Sequence, residues 1–400
     1  MRIGMMADVY KPHVSGVTNY IALNKAQLEQ MGHQVFVFSF GAGDYIDDEI
    51  NIIRSPSLPL LDTGYYFSLR YTRSARRLLQ TMDVVHVHHP FLSGTLALLY
   101  CRQRGIPIIF TNHTRYDLYA QAYLPIMPDV VGNAALQSYM PAFCRSCDMV
   151  VSPSPGMRDV LKQFGVDVPI EVVPNGVDLK PFQNPGRPVE RMELGFATSD
   201  VVLLFVGRLG PEKNLDFLLR SFTGAVQAYD HLRLVLIGGG PERENLEDWV
   251  NRTGNQHAVR FVGPIAYDQM PRYMAMADAF VTASVTEVHP LTVIEAMAAG
   301  LPVVGINSPG IGDTVKDGVT GFLVPQEDIA MYTAMMIRMA VDTSSRQRMG
   351  QQARLEAPNY AIERTCNMML ERYERVIHGS VGRKQTLRVR VDRFIELFRK

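Results

Sequence analysis

Short apolar runs alternate with amphipathic stretches along the first part of the chain. The runs have the length of strands, and the stretches between them have helical length and spacing. Asn19–Met31, for example, has the pattern of an amphipathic helix that ends near Gly32. The predicted strands are Arg2–Met6, Gln34–Phe40, Val84–His88, Ile108–Thr111 and Met149–Ser152. Strands separated by helices imply parallel pairing with crossover helices, and they predict a doubly wound α/β sheet.

The same alternation starts again in the second part of the chain. Ile170–Val173 opens this array and leads into the turn signal Pro174–Asp178, so the junction is predicted near residues 165–180. Val201–Val206 is apolar throughout, as is typical of a parallel strand buried on both faces. Further strands are predicted at Leu232–Ile237, Val259–Val262, Ala279–Thr282 and Val303–Gly305, and helices at Asn214–Gln227, Glu242–Arg252, Ala266–Ala277 and Val293–Ala299.

The C-terminal part of the chain is predicted to be mostly helical. This region follows Val324-Pro325 and runs to about Ile377, and Gly379–Gly382 then breaks the pattern. A basic segment follows, with apolar residues at helical spacing. The sequence therefore predicts two Rossmann-like α/β domains at residues 1–170 and 171–360, a helix at 361–379, and a basic amphipathic tail at 380–400.

The composition is that of a soluble globular protein large enough for two domains. The chain has 400 residues, 47% of them hydrophobic and 20% charged, and its formal net charge is zero. This balance argues against nucleic acid as a partner. No signal peptide and no membrane span is expected, and the four cysteines fit a reducing cytoplasm. Cys144 and Cys147 form a CxxC without the second pair that a zinc site needs.

A loop with one arginine and one lysine follows the strand Val201–Val206. In Gly207-Arg208-Leu209-Gly210-Pro211-Glu212-Lys213-Asn214, glycine allows close backbone approach, and a helix begins directly afterwards. Two cations and a helix N-terminus together suit a diphosphate. The alternative is a pair of solvated cations in an ordinary loop.

Two glycine-rich loops follow other strands of the second array. Gly238-Gly239-Gly240 would let a ligand approach closely, but it is not a complete GxGxxG dinucleotide motif, and such turns are also plain connections. Asn307–Asp313 is equally compatible with a simple turn. Neither loop identifies a ligand by itself.

Two carboxylates separated by seven residues precede and enter an alanine-rich helix. Glu287 lies in the predicted loop and Glu295 near the start of the helix. A carboxylate accepts hydrogen bonds from paired hydroxyl groups, so both residues suit the diols of a sugar or a ribose. Ordinary acids near a helix N-terminus are the alternative interpretation.

Together these motifs resemble the family 4 retaining glycosyltransferases, which have the GT-B fold. The matching stretches are Val173–Asp178, Gly207-Arg208 with Glu212-Lys213-Asn214, Glu287 through Glu295, Ala298–Val304, and the late loops Ser308-Pro309-Gly310 and Gly321–Val324. The resemblance reaches from the N-terminus to about residue 375. His113-Thr114-Arg115-Tyr116 and the aromatic, methionine-rich stretch after it are similar to the lipid-modifying branch, which includes diacylglycerol glucosyltransferases and phosphatidylinositol mannosyltransferases.

The resemblance implies roles for individual residues. Arg208 and Lys213 would neutralise the donor diphosphate, Glu295 would hold the ribose hydroxyls, and Glu287 the hydroxyls of the donor sugar. In the first domain, His113 matches a histidine near the transferred sugar. The other expected substrate-binding residues are Ser15, Gly16, Gly207, Gly239, Leu291 and Thr292. The C-terminal helix would cross back to the first domain.

One position departs from the family pattern. Many relatives have an aromatic residue and then glycine inside the Glu-x7-Glu element, where this chain has His289-Pro290. Proline has no backbone N–H to donate, so a donor contact through that amide is in doubt. The His289 ring either replaces a contact or packs.

No metal or other cofactor is expected. No Asp-x-Asp element follows a strand, and Asp47-Asp48-Glu49 is predicted to be a solvated loop. His86, His88 and His89 end a strand; alternation places His86 and His88 on one face, and a polar cleft edge is favoured over a metal site. Acceptor contact is a candidate role for His88 or His89.

The resemblance favours a retaining hexosyltransferase, with UDP-glucose as donor before GDP-mannose and a membrane lipid such as diacylglycerol as acceptor. The aromatic and arginine-rich segment Gly64–Arg77 and the basic tail suit an anionic membrane surface, so a cytoplasmic protein peripheral to the inner face of the membrane is expected. A surface helix packed on the protein is the alternative for the tail. Transfer to a soluble sugar or small molecule, and a GT-B epimerase or hydrolase, are the alternative functions.

Overall fold

The computed structural model describes residues 1–41, 47–59, 66–67, 70–118 and 129–397. Two parallel β-sheets form its framework, one of seven strands and one of six. Helices separate most of the strands along the chain, and each sheet is doubly wound. The predicted α/β fold with two Rossmann-like units is confirmed.

The first sheet has the strand order β3-β2-β1-β6-β7-β8-β9, and all its strands are parallel. Two short strands, β4 and β5, pair separately as an antiparallel ribbon. The strand bounds are β1 Arg2–Met6, β2 Gln34–Gly41, β3 Ile52–Pro56, β4 Leu58–Pro59, β5 Tyr66–Phe67, β6 Val84–Val87, β7 Ile108–Thr111, β8 Met149–Ser152 and β9 Ile170–Val172.

The second sheet has the order β12-β11-β10-β13-β14-β15, also entirely parallel. All six residues of β10 are buried, as expected for a strand covered on both faces. The bounds are β10 Val201–Val206, β11 Leu232–Ile237, β12 Val259–Gly263, β13 Ala279–Thr282, β14 Val303–Ile306 and β15 Gly321–Val324.

The helices begin and end close to the predicted positions in most cases. The region predicted as one helix at Ala266–Ala277 is a 3₁₀ turn, Tyr267–Gln269, followed by a shorter α-helix. The α-helices are α1 Gly16–Gln30, α2 Arg73–Leu79, α3 Leu92–Cys101, α4 Asp129–Ser146, α5 Pro155–Gln163, α6 Lys180–Gln183, α7 Leu215–Ala228, α8 Arg243–Arg252, α9 Met270–Met276, α10 Leu291–Ala299, α11 Pro309–Thr314, α12 Ile329–Val341, α13 Thr343–Glu356 and α14 Ile362–Leu397.

Two sequence-based boundaries are wrong. The strand expected to open the second array, β9, instead closes the first sheet by pairing with β8, from Val150↔Ile170 to Ser152↔Val172. The expected break at Gly379–Gly382 is absent from the described chain, because α14 continues through it to Leu397. The tail side chains after Ser380, and residues 64–65 and 68–69 of the predicted membrane segment, lie outside the description.

Helix α14 returns to the first domain, as predicted from the family resemblance. Cys366, Met369 and Tyr373 are buried against β1 and α1 in one apolar cluster. At its edge, Nε of Arg372 donates to Glu171 of β9 over 2.9 Å. The helix therefore completes the core of the first domain.

The chain passes between the two domains twice, and the two connecting segments lie side by side. Val177, on the outward crossing, donates its N–H to Tyr360 O and accepts from Ile362 N, each over 3.0 Å. A Cβ at Gly176 would overlap the Thr365 hydroxyl, so only glycine allows this approach. Outward and returning chain are thus joined by backbone hydrogen bonds.

Each sheet has one point where the strand order reverses direction. It lies between β1 and β6 in the first sheet and between β10 and β13 in the second. At such a point the loops after the two strands diverge to opposite faces, and the crevice between them binds ligands in open α/β sheets. Most of the predicted site residues follow β1, β10 and β13, whereas His113 follows β7 and Gly239 follows β11.

Candidate active site

Lys213 and Glu287 form an ion pair in the crevice of the second sheet. Lys213 follows β10, Glu287 follows β13, and Nζ lies 2.6 Å from Oε1. Both side chains are less than one-fifth exposed. The structure therefore brings together the residue predicted to bind the diphosphate and the residue predicted to bind the donor sugar.

The backbone of Glu212 fastens the loop after β10 to the loop after β13. Its carbonyl oxygen accepts from the hydroxyls of Ser284 and Thr286, over 3.3 and 3.2 Å. Both hydroxyl residues are buried. This places Lys213, the next residue, at a fixed distance from Glu287.

The three glycines after β11 have different surroundings. A Cβ at Gly238 would overlap the carbonyl oxygen of Gly207, and a Cβ at Gly240 would overlap that of Leu209. These two glycines therefore allow the loops after β10 and β11 to touch each other. At Gly239 the nearest atom to an added Cβ is a Pro264 ring carbon at 3.7 Å, so only this glycine leaves room beside it.

Glu295 is buried inside the second domain, on α10. Its Oε1 accepts a hydrogen bond of 2.8 Å from the Tyr267 hydroxyl. Burial raises the pKa of the Glu295 carboxyl to about 7, although the Tyr267 hydrogen bond opposes that rise. Sequence analysis missed Tyr267, because the residue lies 28 positions before its partner.

The start of α10 is supported from the loop after β14. Gly310 donates its N–H to the carbonyl oxygen of Glu287 over 3.1 Å, and a Cβ at Gly310 would overlap that oxygen. Leu291, the first residue of α10, is buried, and Thr292 beside it is half-buried. The Glu287 backbone is therefore fixed independently of its side chain.

His289 packs inside the protein. Its ring is 5% exposed and lies edge-on to Tyr360, with centroids 5.1 Å apart. Its carbonyl oxygen accepts from Nδ2 of Asn175 over 2.9 Å, and burial lowers the pKa of the ring to about 3. Of the two interpretations of the His289-Pro290 departure, the structure favours packing.

Ser15 and Gly16 form the start of α1, after β1. The Ser15 hydroxyl accepts from the Thr18 N–H over 3.2 Å, and Thr18 Oγ1 accepts from the Ser15 N–H over 2.8 Å. No atom lies within 4 Å of a Cβ added at Gly16. Ser15 thus caps the helix, and Gly16 leaves space at its N-terminus.

His13 brings this loop close to the second domain. Burial and the positive charge of Arg208 both lower the pKa of the His13 ring. The loop after β1 and the loop after β10 therefore face each other across the domain interface. Sequence analysis did not single out His13 as a site residue.

His113 follows β7 and is held by His88. Its Nε2 lies 3.1 Å from Nδ1 of His88, and the Tyr20 ring lies at 4.5 Å between centroids. Burial lowers the pKa of both histidines well below the ordinary value, so both rings are neutral. His113 keeps part of its surface exposed.

His86, which lies within β6, and His88 and His89, which follow it, are buried, so the predicted polar cleft edge is wrong. His86 bonds to the Tyr373 hydroxyl and to the Thr111 hydroxyl, each at 2.7 Å. Nδ1 of His89 accepts from the N–H of Asp8 over 3.2 Å. Direct acceptor contact by His88 or His89 is also wrong for this structure, because they are 0% and 6% exposed. His86 and His88 do share a face, with ring centroids 4.2 Å apart.

The prediction of a solvated loop at Asp47–Glu49 is wrong for Asp47 and Glu49, because both form ion pairs. Asp47 forms a two-point ion pair with Arg54, with contacts of 2.6 and 2.8 Å. Glu49 pairs with Lys11 and accepts from the Tyr10 hydroxyl over 3.1 Å. These contacts hold the loop that leads to Ser15, and Asp48 alone is exposed.

A cavity of about 540 Å³ lies between the domains, beside the Glu287 loop. Two of its lining residues, Arg115 and Leu118, follow His113 in the first domain. Ile306 is the last residue of β14, and the others follow β13, β14 and β15: Val285, Asn307, Ser308, Pro309, Pro325, Gln326 and Glu327. Its walls are therefore partly apolar and partly polar. Arg115 is held by a two-point pair with Asp117, at 2.7 and 3.0 Å.

The described residues form neither a metal cluster nor a membrane-spanning helix. Within the ranges that the structure describes, no cluster of three or more His, Cys, Asp or Glu side chains could hold a metal ion. Cys144 and Cys147 are both free thiols. Among the described helices, none combines the length and apolar character needed to cross a bilayer.

Two family models match successive parts of the chain. Residues 14–181 match the family described as Glycosyltransferase Family 4. Residues 186–356 match the family described as Glycosyl transferases group 1. The boundary between the two matches lies close to the crossing between the two sheets.

Several curated proteins are similar over most of their length. An alpha-monoglucosyldiacylglycerol synthase of Streptococcus pneumoniae is 31% identical over 81% of this chain and 75% of that protein. A protein of the same name from Acholeplasma laidlawii is 28% identical over 83% of this chain and 87% of that protein. A GDP-mannose-dependent alpha-mannosyltransferase of Corynebacterium glutamicum is 27% identical over 94% and 89%.

Solved structures share the fold across almost the whole chain. The HepE protein of Anabaena, solved with UDP and glucose, has a TM-score of 0.75 and 17% identity over 94% of this chain and 99% of that chain. A sucrose-phosphate synthase of Thermosynechococcus elongatus has a TM-score of 0.78 and 22% identity over the same shares. At these identities the likeness concerns the arrangement of the two sheets.

Proposed function

The chain belongs to the family 4 glycosyltransferases, and on that premise we propose that it transfers glucose from UDP-glucose to a hydroxyl of diacylglycerol with retention of configuration. The protein is a hexosyltransferase of the GT-B type. Donor, acceptor, stereochemistry and the roles of single residues belong to the proposal. The observation that carries it is the Lys213–Glu287 pair at the reversal point of the second sheet.

The leaving group is stabilised by fixed cations. Departure of a nucleoside diphosphate develops negative charge on the phosphate oxygens, and a preorganised positive charge lowers the energy of that transition state. Arg208 and Lys213 supply this charge, and the loop after β1, which leads to the N-terminus of α1, approaches Arg208 through His13. In this proposal the reaction requires no metal ion.

The donor sugar and the ribose are held by separate carboxylates. Glu287 accepts from sugar hydroxyls and at the same time fixes the Lys213 ammonium group. Glu295 accepts from the ribose diol, which requires its charged form. His113 approaches the sugar from the first domain, and Gly239 leaves room for the nucleotide beside the loop after β11.

Retention follows if the acceptor hydroxyl attacks on the face that the diphosphate leaves. The hydroxyl oxygen forms the new bond to the anomeric carbon as the bond to the diphosphate oxygen breaks. A leaving phosphate oxygen takes the hydroxyl proton. This route needs no basic side chain between Glu287 and the acceptor.

The interdomain cavity is the proposed place of the acceptor. It begins two residues after His113 and two residues before Glu287, so it adjoins the proposed sugar site. Apolar walls at Leu118, Val285 and Pro309 suit the acyl part of a lipid, and its volume is within the usual range for ligand sites, about 300–1,000 Å³. Diacylglycerol is favoured because two relatives are named for its glucosylation.

Arginines on the first domain support peripheral binding to an anionic membrane. Arg70, Arg73 and Arg77 are exposed on and before α2, and Arg76 lies 5.6 Å from the Tyr100 ring. Each basic residue near an anionic surface contributes about 1 kcal/mol of attraction. Peripheral binding to an anionic membrane surface is therefore part of the proposal, with the cytoplasmic face as the expected side.

The direct test is product analysis with labelled donors. The protein is incubated with UDP-glucose or GDP-mannose and with vesicles that contain diacylglycerol, and the lipid product is identified by mass and by the coupling constant of its anomeric proton. The expected product is an α-glucosyl lipid from UDP-glucose. Transfer only to soluble sugars, or breakdown of the donor without transfer, would refute the lipid assignment. Turnover that persists in excess chelator is expected.

A further inference from the structure

The hydrogen bond between His88 and His113 has one donor and one acceptor, so the protonation of one ring determines that of the other. The bond joins Nδ1 of His88 to Nε2 of His113 over 3.1 Å. Two arrangements of neutral rings satisfy it. Either His88 donates from Nδ1, or His113 donates from Nε2.

The surroundings of His88 distinguish these arrangements. His88 is fully buried, and its Nε2 has no hydrogen-bond partner among the described residues. If His113 donated, His88 would carry its proton on that buried Nε2, as an N–H without an acceptor. Orphaned buried N–H groups are rarer in proteins than under-satisfied acceptors. The arrangement with His88 as donor is therefore the stable one.

The arrangement with His88 as donor determines whether Nδ1 of His113 carries a proton. With a lone pair at Nε2, neutral His113 must carry its proton at Nδ1. No described residue bonds to Nδ1, and His113 is part-exposed, whereas His88 is buried. The Tyr20 ring, at 4.5 Å from His113 and 5.7 Å from His88, limits rotation of both rings.

We propose that His88 is a positioning residue that fixes the tautomer of His113, so that His113 offers an N–H donor at Nδ1 to an oxygen of the bound sugar. His113 in this form has no free lone pair toward the sugar and does not act as a base there. The identity of the sugar rests on the proposed function, whereas the tautomer does not.

The tautomer is measured directly on the full chain. The protein is labelled with ¹⁵N-histidine, and long-range ¹H–¹⁵N correlations identify the protonated nitrogen of each ring; His88→Asn and His113→Asn assign the signals. We expect protonated Nδ1 and unprotonated Nε2 in both rings of the wild type. Protonated Nε2 in His113 would overturn the proposal, whatever reaction the protein catalyses.

Variants of His88 test the positioning. Asparagine places an amide N–H near the position of Nδ1, whereas leucine removes the donor. His88→Asn should preserve the His113 tautomer and keep kcat within about threefold, while His88→Leu should release the tautomer and lower kcat by ~10-fold or more, as expected for loss of one buried hydrogen bond. Equal kcat in the two variants would contradict the proposal.

Variants of His113 test which nitrogen faces the sugar. Asparagine keeps a donor near Nδ1, and glutamine reaches the position of Nε2. His113→Asn should retain ~10-fold more turnover than His113→Gln, again the value of about one hydrogen bond. The opposite order would mean that Nε2 faces the sugar. If transfer activity is absent even in the wild type, the proposed function fails while the tautomer measurement stands.

Discussion

The Tyr267 hydroxyl donates a 2.8 Å hydrogen bond to the buried Glu295 carboxylate, although Tyr267 itself is 43% exposed. The bond favours the charged carboxylate, and burial disfavours it more strongly, so the pKa of Glu295 is raised to about 7. The residue proposed to bind the ribose is therefore partly protonated near neutral pH. This has consequences for stability and for donor binding.

Stability should depend on pH through Glu295. The folded protein holds this proton more tightly than the unfolded chain, whose carboxyl has a pKa of 4.5. The stabilisation is complete below pH 4.5 and is lost as the pH rises through about 7. Glu295→Gln mimics the protonated acid, so its unfolding free energy relative to wild type should increase by up to about 3 kcal/mol between these limits. Denaturant titrations at a series of pH values measure this, and a constant difference would contradict it.

Donor binding should be favoured by the charged form of Glu295, whereas stability is favoured by the protonated form. The ribose diol donates to the charged carboxylate, so the donor KM of the wild type should rise as the pH falls below about 7. Tyr267→Phe removes the bond that favours the charge, and it should move this rise to higher pH. Steady-state kinetics with saturating acceptor measures the shift. An unchanged profile in Tyr267→Phe would mean that Glu295 does not titrate in binding.

Lys213→Ala and Glu287→Ala should each remove most turnover while the fold survives. Loss of a charge that stabilises the transition state costs about 10²–10³-fold in kcat. The two residues share one contact, so the double variant should lose much less than the product of the single losses. Lys180→Ala breaks the pair with Glu363, whose side chains are 78% and 45% exposed, and serves as the control. Wild-type turnover in both single variants would refute the assigned site.

The strands could be predicted from sequence more fully than the contacts between them. Arg2–Met6 and Val201–Val206 form strands with the predicted bounds, because local apolar runs determine them. The same pattern could not tell which sheet Ile170–Val172 would join. The burial of His86 depends on Tyr373, 287 residues away, and the pairing of Glu49 depends on Lys11. Such non-local partners carry no local signal in a single sequence.

Alanine substitutions of the three glycines after β11 should affect stability at two positions and donor binding at the third. Gly238→Ala and Gly240→Ala insert a methyl group into the neighbouring backbone and should lower the unfolding free energy by about 2–4 kcal/mol. Gly239→Ala is the matched control for stability, because no atom obstructs its Cβ within 3.7 Å. It should keep the melting temperature and raise the donor KM. Equal destabilisation by all three would contradict the loop contacts.

Substitutions in the cavity wall should change the KM for the acceptor but not the KM for the donor. Leu118→Asn removes apolar area beside Arg115 and should raise the KM for diacylglycerol by ~10-fold, as expected for loss of part of a leucine side chain's burial. The donor KM should stay within about twofold. Leu99→Asn is the control, because Leu99 lies on α3 and is 53% exposed. A rise in donor KM with unchanged acceptor KM would place the acceptor elsewhere.

The paired crossings at Val177 and Ile362 constrain how the two halves of the enzyme can move. A single connection would let one half rotate freely, but two chain segments joined by hydrogen bonds resist twisting and sliding while still allowing a bend. Opening and closing should therefore follow one hinge axis, which lies at Gly176. Along that axis the carboxyl ends of both sheets approach and separate in register, so each closure brings the loop that carries His13 back to the loop that carries Arg208.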